Sequence, residues 1–238
     1  MAIERKQKLA VFDVDGTLVD SRASILSAMV EAANEIGVAP PTYEDVRAIV
    51  GLSLTEAMAQ MRPDLDAPTV HAYVEAYKST FTRFHADPDF VEPLYHGVAD
   101  LLAELKAEGW AIGMATGKSR RGVERNLEVH GWRDVFDCTF CADDGPSKPH
   151  PHMLNRNMET LGFAAEHTVM IGDTAHDIIM ARHAGVRAIG VTWGFHTVEE
   201  LVAAGTDDIV ADFAELKRVL HMFKRAECGG VTGNTAVQ

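Results

Sequence analysis

The 238-residue sequence has no apolar run approaching the roughly 18 residues that a membrane-spanning helix needs. Nor does a long apolar segment separate the N-terminal MAIERKQK from the first strand-like run, so no secretory signal is read and a cytoplasmic protein is expected. Cysteine is scarce, and three residues cannot staple a disulfide framework. Cys138 and Cys141 stand three apart in the strand-like VFDCTFCA, where they face opposite sides, and no second pair follows. They are expected as small buried side chains rather than zinc ligands. Positive charge is also short: 22 Lys and Arg against 35 Asp and Glu give a formal charge of −13, which argues against nucleic-acid and anionic-membrane partners. One basic cluster runs against that balance, namely Lys118, Arg120, Arg121 and Arg125. It is either a solvated helix face or, beside a phosphate site, an attractor for anionic substrates.

What the chain does contain is the composition of a soluble globular protein, 47% hydrophobic and 24% charged. A chain of this length buries about 70–75% of its unfolded surface, enough for one large domain or two unequal ones. The first strand-like run, KLAVFDVDGTLVDS, ends in two carboxylates, Asp13 and Asp15. Residues two apart in a strand face the same side, so both start out aimed at one locus. A hairpin is excluded because Ile25, Leu26, Met29, Val30, Ala33 and Ile36 follow at helical spacing.

From residue 20 to about 92 only helices are expected, with capping-box patterns at Thr42-x-x-Asp45 and Ser53-x-x-Glu56. A third helix begins near Thr69, and its stripe of Val70, Tyr73, Val74, Tyr77, Phe81 and Phe84 is expected to pack between helices. After Pro93 strands and helices alternate: strands at WAIGMAT, VFDCTFC, HTVMIGD and RAIGVTW, helices closed by Gly109 and Gly185, then a short last strand and a terminal helix. That alternation predicts an α/β fold, a doubly wound parallel sheet of Rossmann-like type carrying an inserted all-helical cap domain. The expected division is 1–19 with 93–225 as the core, 20–92 as the cap, and 226–238 as a frayed tail.

In such sheets ligands sit outside the carboxyl ends of the strands. Asp13 and Asp15, then Thr116, Gly117 and Lys118, then Asp173 and Asp177 all fall at such ends, and Lys148 precedes a helix start from which its ammonium reaches the same crevice. Carboxylates gathered there repel, by about 4 kcal/mol per pair at ~4 Å and an effective dielectric of 20, so the cluster demands a cation. Oxygen-only ligation beside phosphate points to Mg²⁺. Two local patterns fail on spacing. Gly117-Lys118-Ser119 resembles a P-loop end, but Ile112 stands where that motif needs glycine. His150-x-His152 beside prolines is read as structural.

Four motifs in order, DVDGT at 13–17, Thr116, Lys148 with its following proline, and GDTAHD at 172–177, make the chain resemble the haloacid dehalogenase-like hydrolases over about residues 8–220. The resemblance implies a phosphatase acting through an aspartyl-phosphate. Asp13 would be the nucleophile and Asp15 the general acid and base. Thr116 and the amides at Gly117 and Lys118 would hold the phosphoryl oxygens, and Lys148 would add positive charge. The metal would be held by Asp13, the main-chain carbonyl of Asp15, and Asp173, with Asp177 beside it or acting through water.

Within that superfamily Asp15 argues against haloacid dehalogenation, which has no alkoxide to protonate. The absence of lysine between Lys8 and Lys78 argues against a Schiff-base phosphonoacetaldehyde hydrolase. A sugar-phosphate mutase is disfavoured because the loop VRAIVGLSLTE offers only Arg47 as a cationic contact. The GLSL, SKPHP and GDTAHDI runs look most like phosphoglycolate phosphatase and its relatives, with a sugar phosphate, nucleotide or pyrophosphate as alternative substrates. Arg47, Ser53 and Thr55 are the candidate cap contacts to a small phosphorylated metabolite. The cap is expected to swing on hinges near 16–21 and 90–95. A noncatalytic binding protein on the same fold is the rival from another class. It should have lost one of Asp13, Asp15, Thr116, Lys148 or Asp173, and all five stand.

Overall fold

The computed structural model describes residues 8–87 and 89–225; the expected tail at 226–238 lies outside them. Strand β1 (Leu9–Phe12) is buried on both faces. Ala10 and Phe12 join one apolar cluster with Ile112, Met114, Val169 and Ile171, while Leu9 and Val11 join another with Ala111, Ala115 and Met170. Continuous apolar runs of this kind are what a parallel sheet covered on both sides requires.

The other strands are β2 (Ala111–Thr116), β3 (Cys138–Cys141), β4 (Thr168–Gly172), β5 (Arg187–Val191) and β6 (Asp208–Val210). All pair in parallel, in the order β3-β2-β1-β4-β5-β6. Helices α5 (Val98–Ala107), α6 (Arg120–Val129) and α10 (Phe213–Arg225) supply the first face with Leu101, Leu102, Val123, Leu127, Leu216 and Leu220. On the opposite face lie α7 (His152–Leu161), α8 (Ala175–Ala184) and α9 (Val198–Ala204), through Met153, Leu154, Ile178 and Leu201. The winding reverses between β1 and β4, where a crevice opens at the carboxyl ends of the strands.

Between β1 and α5 the named elements among the described residues are the helices α1 (Arg22–Ile36), α2 (Tyr43–Arg47), α3 (Leu54–Met61) and α4 (Ala67–Ala86). They close around their own core of Ile25, Met29, Ala32, Val46, Met58, Val70 and Tyr73, which the core's Phe195 joins. Tyr73 is fully buried and its hydroxyl donates to the carbonyl of Met29 at 2.9 Å, tying α4 to α1. The Thr42–Asp45 capping box is complete. The Ser53–Glu56 box is not: the Ser53 hydroxyl donates to the Glu56 carboxylate, but accepts nothing from α3. The main-chain N–H of Ser53 donates instead across to Ser147 of the core at 2.7 Å.

The two strands of chain that enter and leave this helical cap run side by side. Asp20 N donates to the Pro93 carbonyl at 2.8 Å and Tyr95 N to the Leu18 carbonyl at 3.1 Å, around an antiparallel bridge between Val19 and Leu94. Among the described residues no helix is long and apolar enough to cross a membrane.

Candidate active site

The β1–β4 register pairs Phe12 with Ile171, and Asp13 N continues it by donating to the Ile171 carbonyl at 3.0 Å. Asp13 and Asp173 therefore leave adjacent strands one and two residues beyond the same pair. The turn after Asp15 passes directly over Asp173. Gly16 adopts φ +81°, and a Cβ there would stand 2.2 Å from Asp173 Oδ2, so only glycine permits both the conformation and the approach. Thr17 then donates its hydroxyl to Asp173 Oδ1 at 2.8 Å, and Phe195 N donates to Oδ2 at 2.8 Å. Asp177 begins α8, where its Oδ2 accepts from the main-chain N and hydroxyl of Thr174.

Into this acidic group reaches Lys148, which is no surface lysine: it is 1% exposed, with Nζ 2.8 Å from Asp13 Oδ1 and 2.6 Å from Asp177 Oδ1. Burial works against its charge, but the two carboxylates outweigh that and hold its pKa above the usual lysine value. Asp13 is itself 1% exposed. Burial, with repulsion from Asp177 and Asp15, outweighs Lys148 and pushes its pKa up to about 7. Burial and the charges of Asp13 and Asp177 likewise raise Asp173, against the hydrogen bonds from Phe195 and Thr17.

Asp13, Asp173 and Asp177 each present a carboxylate oxygen within 4.8 Å of the others, three acids to one ammonium. Among the described residues Asp13 Oδ2 has no hydrogen-bond partner. Buried like charges in excess, all hard oxygen donors and one of them bare, fit a small divalent cation. The side chain of Asp15 is outside this trio and pairs instead with Lys118 Nζ at 2.7 Å.

That ion pair was not legible in the sequence, where Lys118 stood out through its amide and as a member of the basic cluster. The amide donates weakly to the Thr116 hydroxyl, at 3.3 Å. Burial opposes the Lys118 charge, yet Asp15 and Glu92 raise its pKa overall. Gly117 sits where a Cβ would stand 2.6 Å from the Leu52 carbonyl and 2.7 Å from that of Gly51, so the cap loop rests directly on the end of β2.

Arg47 is placed differently from the expectation for it. Its guanidinium is held by Glu44 at 2.6 Å and by Glu200 of α9 at 2.8 Å, and it does not line the cleft. With two carboxylates on it, the side chain ties cap to core. The basic cluster divides as well: Arg120 is bound to Thr139 and Asp144, whereas Lys118, Arg121 and Arg125 face the cleft. His152 Nε2 lies 3.0 Å from the Asp144 carbonyl and His152 N donates to His150 Nδ1, local contacts in keeping with a structural pair.

Asp13, Asp15, Thr116, Gly117 and Lys118 open onto one cleft of about 860 Å³, whose opposite wall is the cap. Ser53 and Thr55 line it as well. The α4 stripe is divided. Val70, Tyr73 and Val74 are buried, but Tyr77 and Phe81 are half-exposed and line the cleft with Lys78, Thr82 and His85. Helical periodicity marks an apolar face without saying what covers it, and so missed these residues.

The sequence profile of the haloacid dehalogenase-like hydrolases matches residues 10–191. The chain is 38% identical over 215 residues to the protein named "Probable phosphatase IndB" of Dickeya dadantii, covering 90% of this chain and 93% of that one. It is 31% identical to "Pyrophosphatase PpaX" of Bacillus mycoides, covering 90% and 97%. Among solved structures it is similar to a predicted phosphatase from Clostridium acetobutylicum, at 28% identity and a TM-score of 0.81, with 91% and 99% covered.

Proposed function

The chain belongs to the haloacid dehalogenase-like hydrolases, and on that premise we propose that it is a Mg²⁺-dependent phosphatase of small phosphorylated metabolites, working through an aspartyl-phosphate on Asp13. The observation that carries this reading is the state of the Asp13 carboxylate: buried at the floor of the cleft, one oxygen on Lys148 and the other bare. A cytoplasmic setting, and the division into core (1–19, 93–225) and cap (20–92), go with it.

Asp13 attacks phosphorus, forming an acyl phosphate as the bond from phosphorus to the leaving oxygen breaks. Asp15 gives that oxygen its proton, and then takes a proton from the water that attacks the acyl phosphate, releasing inorganic phosphate and restoring Asp13. Lys118, on Asp15 Oδ1, holds that carboxylate over the cleft. The Thr116 hydroxyl and the amides of Gly117 and Lys118 receive the phosphoryl oxygens at the end of β2. Lys148 keeps Asp13 oriented and offsets the charge that gathers on it. Asp13, the Asp15 carbonyl and Asp173 would hold Mg²⁺, with Asp177 supporting through Lys148. When bound, the ion neutralises phosphoryl oxygens and acidic side chains together.

The test is release of inorganic phosphate from phosphate monoesters. Activity should require Mg²⁺, vanish with chelator, and fall by ~10⁴-fold or more in Asp13→Asn, as when a group acting at the centre of a catalytic unit is lost. Asp13→Asn should not lower the melting temperature, since it removes a charge that burial disfavours. Full turnover by that variant would refute the assignment of the nucleophile.

A further inference from the structure

A two-carbon ester such as phosphoglycolate does not account for the cleft. Its volume of about 860 Å³ lies high in the ~300–1,000 Å³ range of clefts that enclose drug-sized ligands. Nor is this the gap of an open jaw, because the cap is already seated on the core. Ser53 N reaches Ser147 at 2.7 Å, Arg47 reaches Glu200 at 2.8 Å, and the Gly51–Leu52 loop rests on Gly117.

The two ends of the cleft differ in chemistry. Asp13, Asp15, Thr116 and Lys118 make the core end polar, as a phosphoryl group needs. Facing them from the cap are Met29, Val50, Leu54, Val74, Tyr77 and Phe81. Tyr77 and Phe81 lie one turn apart on α4 with ring centroids 5.0 Å apart, and both keep a half-exposed face toward the cleft. Burial and the charges of Asp15 and Glu92 hold the proton of the Tyr77 hydroxyl firmly. Apolar surface left facing a cleft marks what the cleft encloses.

We propose that the substrates are phosphate monoesters whose leaving group carries an extended apolar or aromatic body, seated on Tyr77 and Phe81 while the phosphoryl group meets Asp13. This deepens the phosphatase reading and rests on it. A glycolate leaving group reaches too little of the cap wall, and a second phosphate as leaving group makes none of the apolar contacts. Tyr77 and Phe81 are thus specificity-determining residues, contributing most once the leaving group is long enough to touch them.

The experiment compares kcat/KM for three primary alkyl esters with similar leaving-group chemistry, ethyl phosphate, phosphoglycolate and 2-phenylethyl phosphate, with Mg²⁺. The phenylethyl ester should exceed the other two by at least about tenfold, the scale on which an apolar pocket discriminates. In Phe81→Ala the ratio of phenylethyl to ethyl ester should fall toward one, while Phe81→Leu, which keeps apolar bulk, should retain most of it. Equal or poorer turnover of the phenylethyl ester by the unaltered protein overturns the substrate class and leaves the phosphatase reading standing. A preference that survives Phe81→Ala undiminished also overturns it. No phosphate from any of the three esters overturns both readings. Should a variant fail to fold, the unaltered protein's three rates decide the matter alone.

Discussion

In the core, Asp13, Asp173, Asp177 and Lys148 are each at most 1% exposed, and every one is held by another charged group, a hydroxyl or a main-chain N–H. Of the cap side chains on the same cleft, Met29, Val50 and Val74 are buried, but Tyr77, Lys78, Phe81, Thr82 and His85 are partly or largely exposed. One side of the cleft is over-determined and the other is loosely committed. Losing the Lys148 ammonium from this buried network is costly, because the carboxylates left without it face the desolvation cost alone. A half-exposed apolar wall can change residue by residue at small cost. Under the proposed function, the core would set reaction type and the cap substrate choice.

Lys148→Met is the strongest challenge to that contrast. It leaves Asp13 and Asp177 buried without their ammonium, and chelated protein should lose about 3–5 kcal/mol of stability in a denaturant titration. Saturating Mg²⁺ should restore part of the loss, since a ligand bound at a hundred times its Kd stabilises by about 2.7 kcal/mol. A loss under ~1 kcal/mol would mean the core side is as loosely held as the cap side.

Arg47→Ala sharpens the comparison from the other direction. Removing a partly exposed ion pair costs about 1 kcal/mol or less. Because Arg47 does not line the cleft, kcat/KM should change by no more than about threefold; a much larger rise in KM would return it to the substrate.

The smallest effect concerns pH. Burial, with Arg125, Lys118 and Arg121 nearby, lowers the pKa of His85 to about 4. Between that value and the usual 6.5 the unfolded chain binds more protons at this residue than the folded one, so folding stability falls as pH drops through the window. His85→Gln should flatten that slope slightly in denaturant titrations from pH 7 to 4.

The strand ends were legible because a parallel strand buried on both faces is a continuous apolar run, and a carboxylate terminating it has no structural reason to be there. Asp13 and Asp173 stand out on those grounds, and the alternation after Pro93 carries the order of the sheet's elements. The cap was legible as helices but not as a surface. The spacing of Val70, Tyr73, Val74, Tyr77 and Phe81 is one unbroken stripe, although α1 covers its first part and open cleft its last. Arg47 was misplaced for a related reason. Glu44, three residues away, is visible as a partner, but Glu200 is 153 positions distant and only the folded chain brings it near. The Lys118–Asp15 pair likewise spans two strand ends, and nothing in either local motif records it.

The entry and exit of the cap are bridged at Val19 and Leu94, with hydrogen bonds on either side. Chain leaves the sheet and returns to it at nearly one point, so the sheet need not register how many residues travel between. Such an insertion behaves as a cassette: a shorter, longer or differently built one can be spliced at the same seam without altering the strands beneath.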